Sequence, residues 1–198
     1  MDDTLTLGAR DGWPEELLFL AQKHPPDTWQ GHPGLLGTGE IWLGNHLYFR
    51  QIASKIAAEL ERLQNDGETS YDSGPALHRH LYSLLSGLDA HHSVEDNHYF
   101  PVFQQVEPRL IRAFEVLDAD HHLIHDGLDH LAATTEDSLR RLGRSEGVMT
   151  SDQHYAVDAL ADALKSFDPL LRQHLDDEEE IVIPLILERA ENDPEFGA

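Results

Sequence analysis

The chain has 198 residues, 37 of them acidic and 14 basic, with a formal net charge of -23, 40% hydrophobic residues and no cysteine. That length and apolar content suit one folded domain with its own core and exclude a disordered chain, while the acid excess, with no basic patch to offset it, argues against nucleic acid or an anionic membrane surface as a partner. Without cysteine there are no disulfides, no thiolate nucleophile and no cysteine-held zinc or iron-sulfur site, so any metal must be bound by nitrogen and oxygen.

The N-terminal stretch MDDTLTLGARDGWPEE lacks a basic region followed by an apolar one. No apolar run approaches the roughly 18 residues of a membrane span, and the expectation is a soluble, cytoplasmic protein. Residues 1–38 carry Pro14, Pro25, Pro26 and Pro33 among several glycines. They read as an irregular arm with a short amphipathic stretch around Glu15 to Gln22, packed on the body through Trp13 and Trp29. Residues 39–188 then read as one helical domain, and 189–198 as a frayed tail. The first long helix is expected over about 40–65. The second spans about 75–100 and stops near Pro101. The third spans about 108–143, with Pro108 in a first helical position. A fourth starts near 151, where Thr150 and Gln153 have capping-box spacing, and Pro169 and Pro184 are expected to kink or end it.

Each helix has a seam of alternating three- and four-residue steps. The seams read Trp42, His46, Phe49, Ala53, Ile56, Leu60, Leu63; Leu77, Leu81, Leu84, Leu88, His91, Glu95, His98, Val102; Leu110, Phe114, Leu117, His121, Ile124, Leu128, Leu131; and Val157, Leu160, Leu164, Phe167, Leu171, His174, Glu178, Ile181, Leu185. Four such seams with short connections define an all-α fold, an up-down-up-down antiparallel four-helix bundle with an irregular N-terminal arm.

Polar residues interrupt every seam at matching heights. His91 and Glu95, His121 and His125, and His174 and Glu178 are pairs four residues apart, each on one helix face. With His46 they supply five imidazoles and two carboxylates. Burying two carboxylates costs several kcal/mol each without a positive partner, and no lysine or arginine lies beside them on the seams, so a metal is the simplest compensation. Five imidazoles, two bridging carboxylates and one bridging oxygen fill all but one position of two six-coordinate ions. Mixed imidazole and carboxylate ligands suit iron, with manganese, zinc or copper chemically compatible.

The set His46, HHSVE (His91 to Glu95), HHLIH (His121 to His125) and HLDDE (His174 to Glu178) resembles hemerythrin and the hemerythrin-like HHE cation-binding domains over about residues 40–188. The stretches HHSVEDNHYFP and HLDDEEEIVIPL resemble that family's helix ends. The resemblance implies a centre of two iron ions with an oxo or hydroxo bridge, His46, His91, His121, His125 and His174 as terminal ligands, and Glu95 and Glu178 as bridging ligands. Animal hemerythrins place the last carboxylate five residues after its histidine, which points to Glu179; HHE domains place it four after, and the seam favours Glu178.

Three functions fit this reading. The first is binding of dioxygen, nitric oxide or peroxide for storage, sensing or detoxification. The second is an enzyme that turns over peroxide or oxidises a substrate. The third is an iron store or structural metal site, which the open position opposes because structural sites are usually closed. His98, on the seam three residues after Glu95, reads as a neighbour of the site. His92 and His122 point about 100° away from the proposed ligands. His24 and His32 read as solvated or structural. A tyrosine closing the open position, from Tyr48, Tyr82 or Tyr99, would oppose the carrier reading.

Overall fold

The long helices form where the apolar steps alternate. A computed structural model describes residues 3–193 and Phe196. Its α-helices are α1 Phe19–Lys23, α2 Thr38–Asp66, α3 Ser73–Val94, α4 Phe100–Val106, α5 Ile111–Leu142 and α6 Ser151–Asn192. Two-residue strands, β1 Glu68–Thr69 and β2 Gly147–Val148, pair antiparallel in the connections and are too short to show any alternation in the sequence. The capping box forms as its spacing indicates: Gln153 N–H donates to Thr150 Oγ1 at 3.3 Å, and Thr150 N–H donates to Gln153 Oε1 at 3.0 Å. None of the helices is long and apolar enough to cross a membrane, among the described residues.

Three expectations about prolines and register need correction. The chain does not stop at Pro101. After α3 it passes through a π turn, Glu95–Tyr99, closed by Phe100 N–H donating to the Glu95 carbonyl, and continues as α4. Pro101 falls in the first turn of α4, where a missing N–H costs little. A π turn takes one more residue than an α turn, so side chains after Glu95 shift register by about one position. Half-buried Tyr99 and buried Phe103 therefore take the places that the seam gave to His98 and Val102, both of which are exposed. Pro169 and Pro184 neither end nor divide α6. Around Pro184 the reason is burial: every residue from Ile181 to Leu187 is buried, and that apolar burial outweighs the roughly 3 kcal/mol cost of an interior proline. The expected frayed tail is helical as far as Asn192, and most of the remainder lies outside the described residues.

The chain divides into two compact units. The first comprises Met1–Tyr48, Ser93–His122 and Leu171–Ala198; the second comprises Phe49–His92 and Leu123–Leu170. In the second unit the seam residues Ile56, Leu60, Leu77, Leu81, Leu84, Ile124, Leu131, Val157 and Leu160 are almost wholly buried. Gly127 is required by packing there, because a Cβ would sit 2.7 Å from the Phe167 ring. In the first unit, α6 is apolar on all sides over Ile181–Leu187 because it has neighbours all round. Trp42, Phe100, Phe103, Phe114 and Leu117 share its core with Leu5, Trp13, Leu17 and Leu20 of the arm. Trp13 Nε1–H donates to the Asp177 carbonyl at 2.9 Å, and Trp29, whose indole N–H donates within the arm to the His24 carbonyl, packs against the same core.

Candidate metal centre

In the first unit, α2 contributes His46, the π turn Glu95 and Asp96, α5 Asp120 and His121, and α6 His174, Asp177, Glu178 and Glu179. The seams carry His46, Glu95, His121, His174 and Glu178 inward, and all five are at most 1% exposed. The donor atoms of His46, Glu95 and Glu178 lie within 4.8 Å of one another. His174 Nε2 is 3.1 Å from Glu178 Oε2, His46 Nε2 is 3.7 Å from Glu178 Oε1, and His121 Nε2 is 3.6 Å from Glu95 Oε2. The rings of His121 and His174 meet edge to face at 4.9 Å.

The three imidazoles are oriented alike. Each turns Nε2 toward the buried carboxylates and Nδ1 toward another acid. His46 Nδ1 is 3.0 Å from Glu179 Oε1, and His121 Nδ1 is 2.7 Å from Asp96 Oδ1. His174 Nδ1 is 3.6 Å from Asp120 Oδ2. Behind His46 and His121 the carboxylate is within hydrogen-bond reach of Nδ1, which favours the proton there and leaves the Nε2 lone pair facing inward, the tautomer a metal-binding histidine needs.

The electrostatics favour a cation in this layer. Burial, and then the adjacent Glu178 carboxylate, push the Glu95 carboxyl well above the usual carboxylate range. Burial lowers the His174 pKa, but contacts with Asp120 and Glu178 override it and push the imidazole up to about 9. The metal-free layer thus resolves its charge by taking up protons, and a multivalent cation can replace them. Three imidazole nitrogens and two carboxylates are an oxygen and nitrogen donor set suited to iron, manganese or zinc, so the residues fit the metal their pattern implies.

Of the residues singled out from the sequence, the structure thus places His46, Glu95, His121, His174 and Glu178 in this layer of the first unit. His91 and His125 belong to the second unit. There His91 is half-buried with its ring 5.2 Å from Phe49. His125 keeps 37% of its side chain exposed, and its Nδ1 lies 3.8 Å from Asp89. His92 is wholly buried, its ring 5.4 Å from that of His125. Tyr48 and Tyr82 are exposed, and Tyr99 packs on Trp42 at 5.1 Å.

Sequence reasoning missed Asp96 and Asp120 as acids behind histidines, gave Glu179 no such role, and missed Arg10. With 37 acids in the chain, nothing local distinguishes these. His24 and His32 have a structural role. His24 Nε2 is 2.9 Å from Glu188, and Lys23 ion-pairs with Glu188 and Glu191, tying the arm to the end of α6.

An all-α chain that converges imidazole Nε2 atoms on a buried carboxylate pair belongs to the helical metal-binding proteins. The family is given by sequence: residues 38–186 match the hemerythrin HHE cation binding domain, most of the chain, and the protein belongs to that family. No curated protein and no solved structure matches it.

Proposed function

We propose that the protein is a non-heme di-iron protein that binds dioxygen or a related small ligand, nitric oxide or peroxide, in an up-down-up-down four-helix bundle. The observation that carries this reading is the common orientation of His46, His121 and His174, with Nε2 toward Glu95 and Glu178 and Nδ1 backed by an acid. The ligands proposed are those read from the sequence, His46, His91, Glu95, His121, His174 and Glu178, with the fifth imidazole, read from the sequence as His125, open to one competitor. For the fifth imidazole, His92 competes with His125, and burial favours His92, since a ligand to an enclosed metal has little exposed surface.

Bound iron would supply redox chemistry and an open coordination position. The protein's part is to hold the imidazoles as neutral Nε2 donors, through Glu179, Asp96 and Asp120, and to keep the site in an apolar surround. Binding is favoured over turnover because His98, the one further titratable group on the seams near the ligands, is exposed and so poorly placed as a proton donor inside the layer. The test is metal analysis with optical spectra, with and without azide. About two iron ions per chain and one azide per pair are expected. A single zinc, no metal, or a spectrum indifferent to azide overturns the reading, and sustained oxygen release from peroxide replaces it with an enzyme.

A further inference from the structure

Arg10 lies in the arm, outside the residues matched by the family, yet its side chain is wholly buried. Its guanidinium forms a fork with Asp120: Nη1–H donates to Oδ1 at 2.9 Å and Nη2–H to Oδ2 at 2.5 Å. Nε–H donates to Asp177 Oδ2 at 2.7 Å, and Nη1–H also donates to the Leu5 carbonyl at 3.0 Å. Gly8 N–H donates to Gln173 Oε1, and Gln173 Nε2–H to the Arg10 carbonyl, so the backbone on both sides of this contact is fixed to α6.

Asp120 is the acid behind His174, and this distinguishes it from the other two. Asp96 and Glu179 approach His121 and His46 at 2.7 and 3.0 Å, with side chains 31% and 17% exposed. Asp120 is 2% exposed, committed to the guanidinium through both oxygens, and stands at 3.6 Å from His174 Nδ1. A carboxylate whose charge is shared with a bidentate arginine is a weaker acceptor for a third group. The imidazole in front of it gains less electron density than it would from an acid with undivided charge.

We propose that Arg10 is a positioning residue of the metal centre: by holding Asp120 at 3.6 Å from His174 Nδ1 and drawing its charge, it keeps the donation of His174 below what an Asp120 free of the guanidinium would give, so that the arm sets the electronic character of the metal on the His174 side. The proposal rests on the di-iron reading. It makes the arm part of the centre, because loss of the arm's grip leaves Asp120 able to close on His174 Nδ1 and strengthen its donation.

The test uses the full-length chain with Arg10→Met, which keeps an apolar stem, and Arg10→Lys, which keeps the charge but loses the fork. Iron content, the rate of iron loss to a chelator, the midpoint potential and the melting temperature of the metal-free form are measured for each. In Arg10→Met the potential is expected to fall, because stronger donation favours the more oxidised metal, and iron loss to change by about 10- to 100-fold. Arg10→Lys should lie between. In an Asp120→Asn background, Arg10→Met should no longer change the potential, since the effect passes through Asp120. A lower melting temperature with an unchanged potential in both Arg10 variants would make Arg10 a purely structural tie and overturn the proposal. If Arg10→Met does not fold, Arg10→Lys and Asp120→Asn decide by the same readouts. An unsubstituted chain that takes up no iron removes the di-iron reading and this proposal with it, whereas an iron-loaded chain indifferent to the substitutions removes only this proposal.

Discussion

Glu95→Gln should stabilise the metal-free protein while it weakens iron binding, and these opposite signs distinguish a metal ligand from a structural acid. Glu95 and Glu178 are both buried, with donor atoms within 4.8 Å. At an effective dielectric of about 20, two carboxylates at that separation repel by roughly 3 kcal/mol. That is an upper limit, because Glu95 escapes the repulsion by holding a proton, as its raised pKa indicates. Glutamine removes the charge at nearly constant shape. For a domain of this size 1 kcal/mol corresponds to about 2–4 °C in melting temperature. The metal-free variant is therefore expected to melt a few degrees, and at most about 12 °C, above the parent at pH 8, with the difference vanishing near pH 4, where Glu95 is neutral in the parent as well. Thermal melts by circular dichroism after chelation, at both pH values, measure this, alongside the iron content of the untreated proteins. A metal-free variant less stable than the parent at pH 8 would refute the reasoning, because it would make ionised Glu95 a favourable partner of the surrounding histidines.

The same layer gives the metal-free and metal-loaded forms opposite pH dependences. An acid whose folded pKa is raised, such as Glu95, makes the folded state less stable as pH rises above the unfolded value near 4.3. His174 is raised to about 9, so its contribution is fully present below the unfolded value near 6.5 and is lost as pH rises through 9. The metal-free chain should accordingly lose stability between about pH 6.5 and 9 on account of these groups, whereas iron, which binds only deprotonated ligands, should be held more tightly over the same range; melts of both forms across that range check this, and a metal-free form that gains stability there contradicts it. For the fifth imidazole, His92→Ala is expected to lower the iron content while His125→Ala retains it, by metal analysis of the purified variants. The reverse result would assign the position to His125.

The sequence displayed what repeats and concealed what occurs once. The seams of α2, α5 and α6 could be read residue by residue, because each apolar step recurs along 29 to 42 residues and a single exception does not disturb the period. His46, His121, His174 and Glu178 inherited that register and are buried as it requires. The seam of α3 holds through Leu88, but His91 on it is half-buried while its neighbour His92 is wholly buried, and beyond Glu95 the π turn changes the period within five residues, EDNHY, that contain neither glycine nor proline. In hindsight one local signal was present. An α turn ahead of position 101 would ask Pro101 for an N–H it lacks, so the ladder there is free to widen, and Asn97 Nδ2–H donates to the Ser93 carbonyl within the same stretch.

The groups around the histidines were concealed for another reason. Asp96 is one residue from Glu95, Asp120 is one residue from His121, and Glu179 is one residue from Glu178, so an α period assigns each of them to a different face from its neighbour. Each becomes useful only because a histidine on another helix presents Nδ1 to that second face: Asp96 serves His121, Asp120 serves His174, and Glu179 serves His46. Adjacent positions therefore do two jobs at once, one residue facing the layer and the next supporting an imidazole from a different helix. The helices are thereby tied in a chain, from the π turn to α5, from α5 to α6 and from α6 to α2. Turning the π turn, α5 or α6 about its axis would withdraw a residue of the layer and another helix's support together, so the orientation of the imidazoles and the packing of the first unit stand or fall as one.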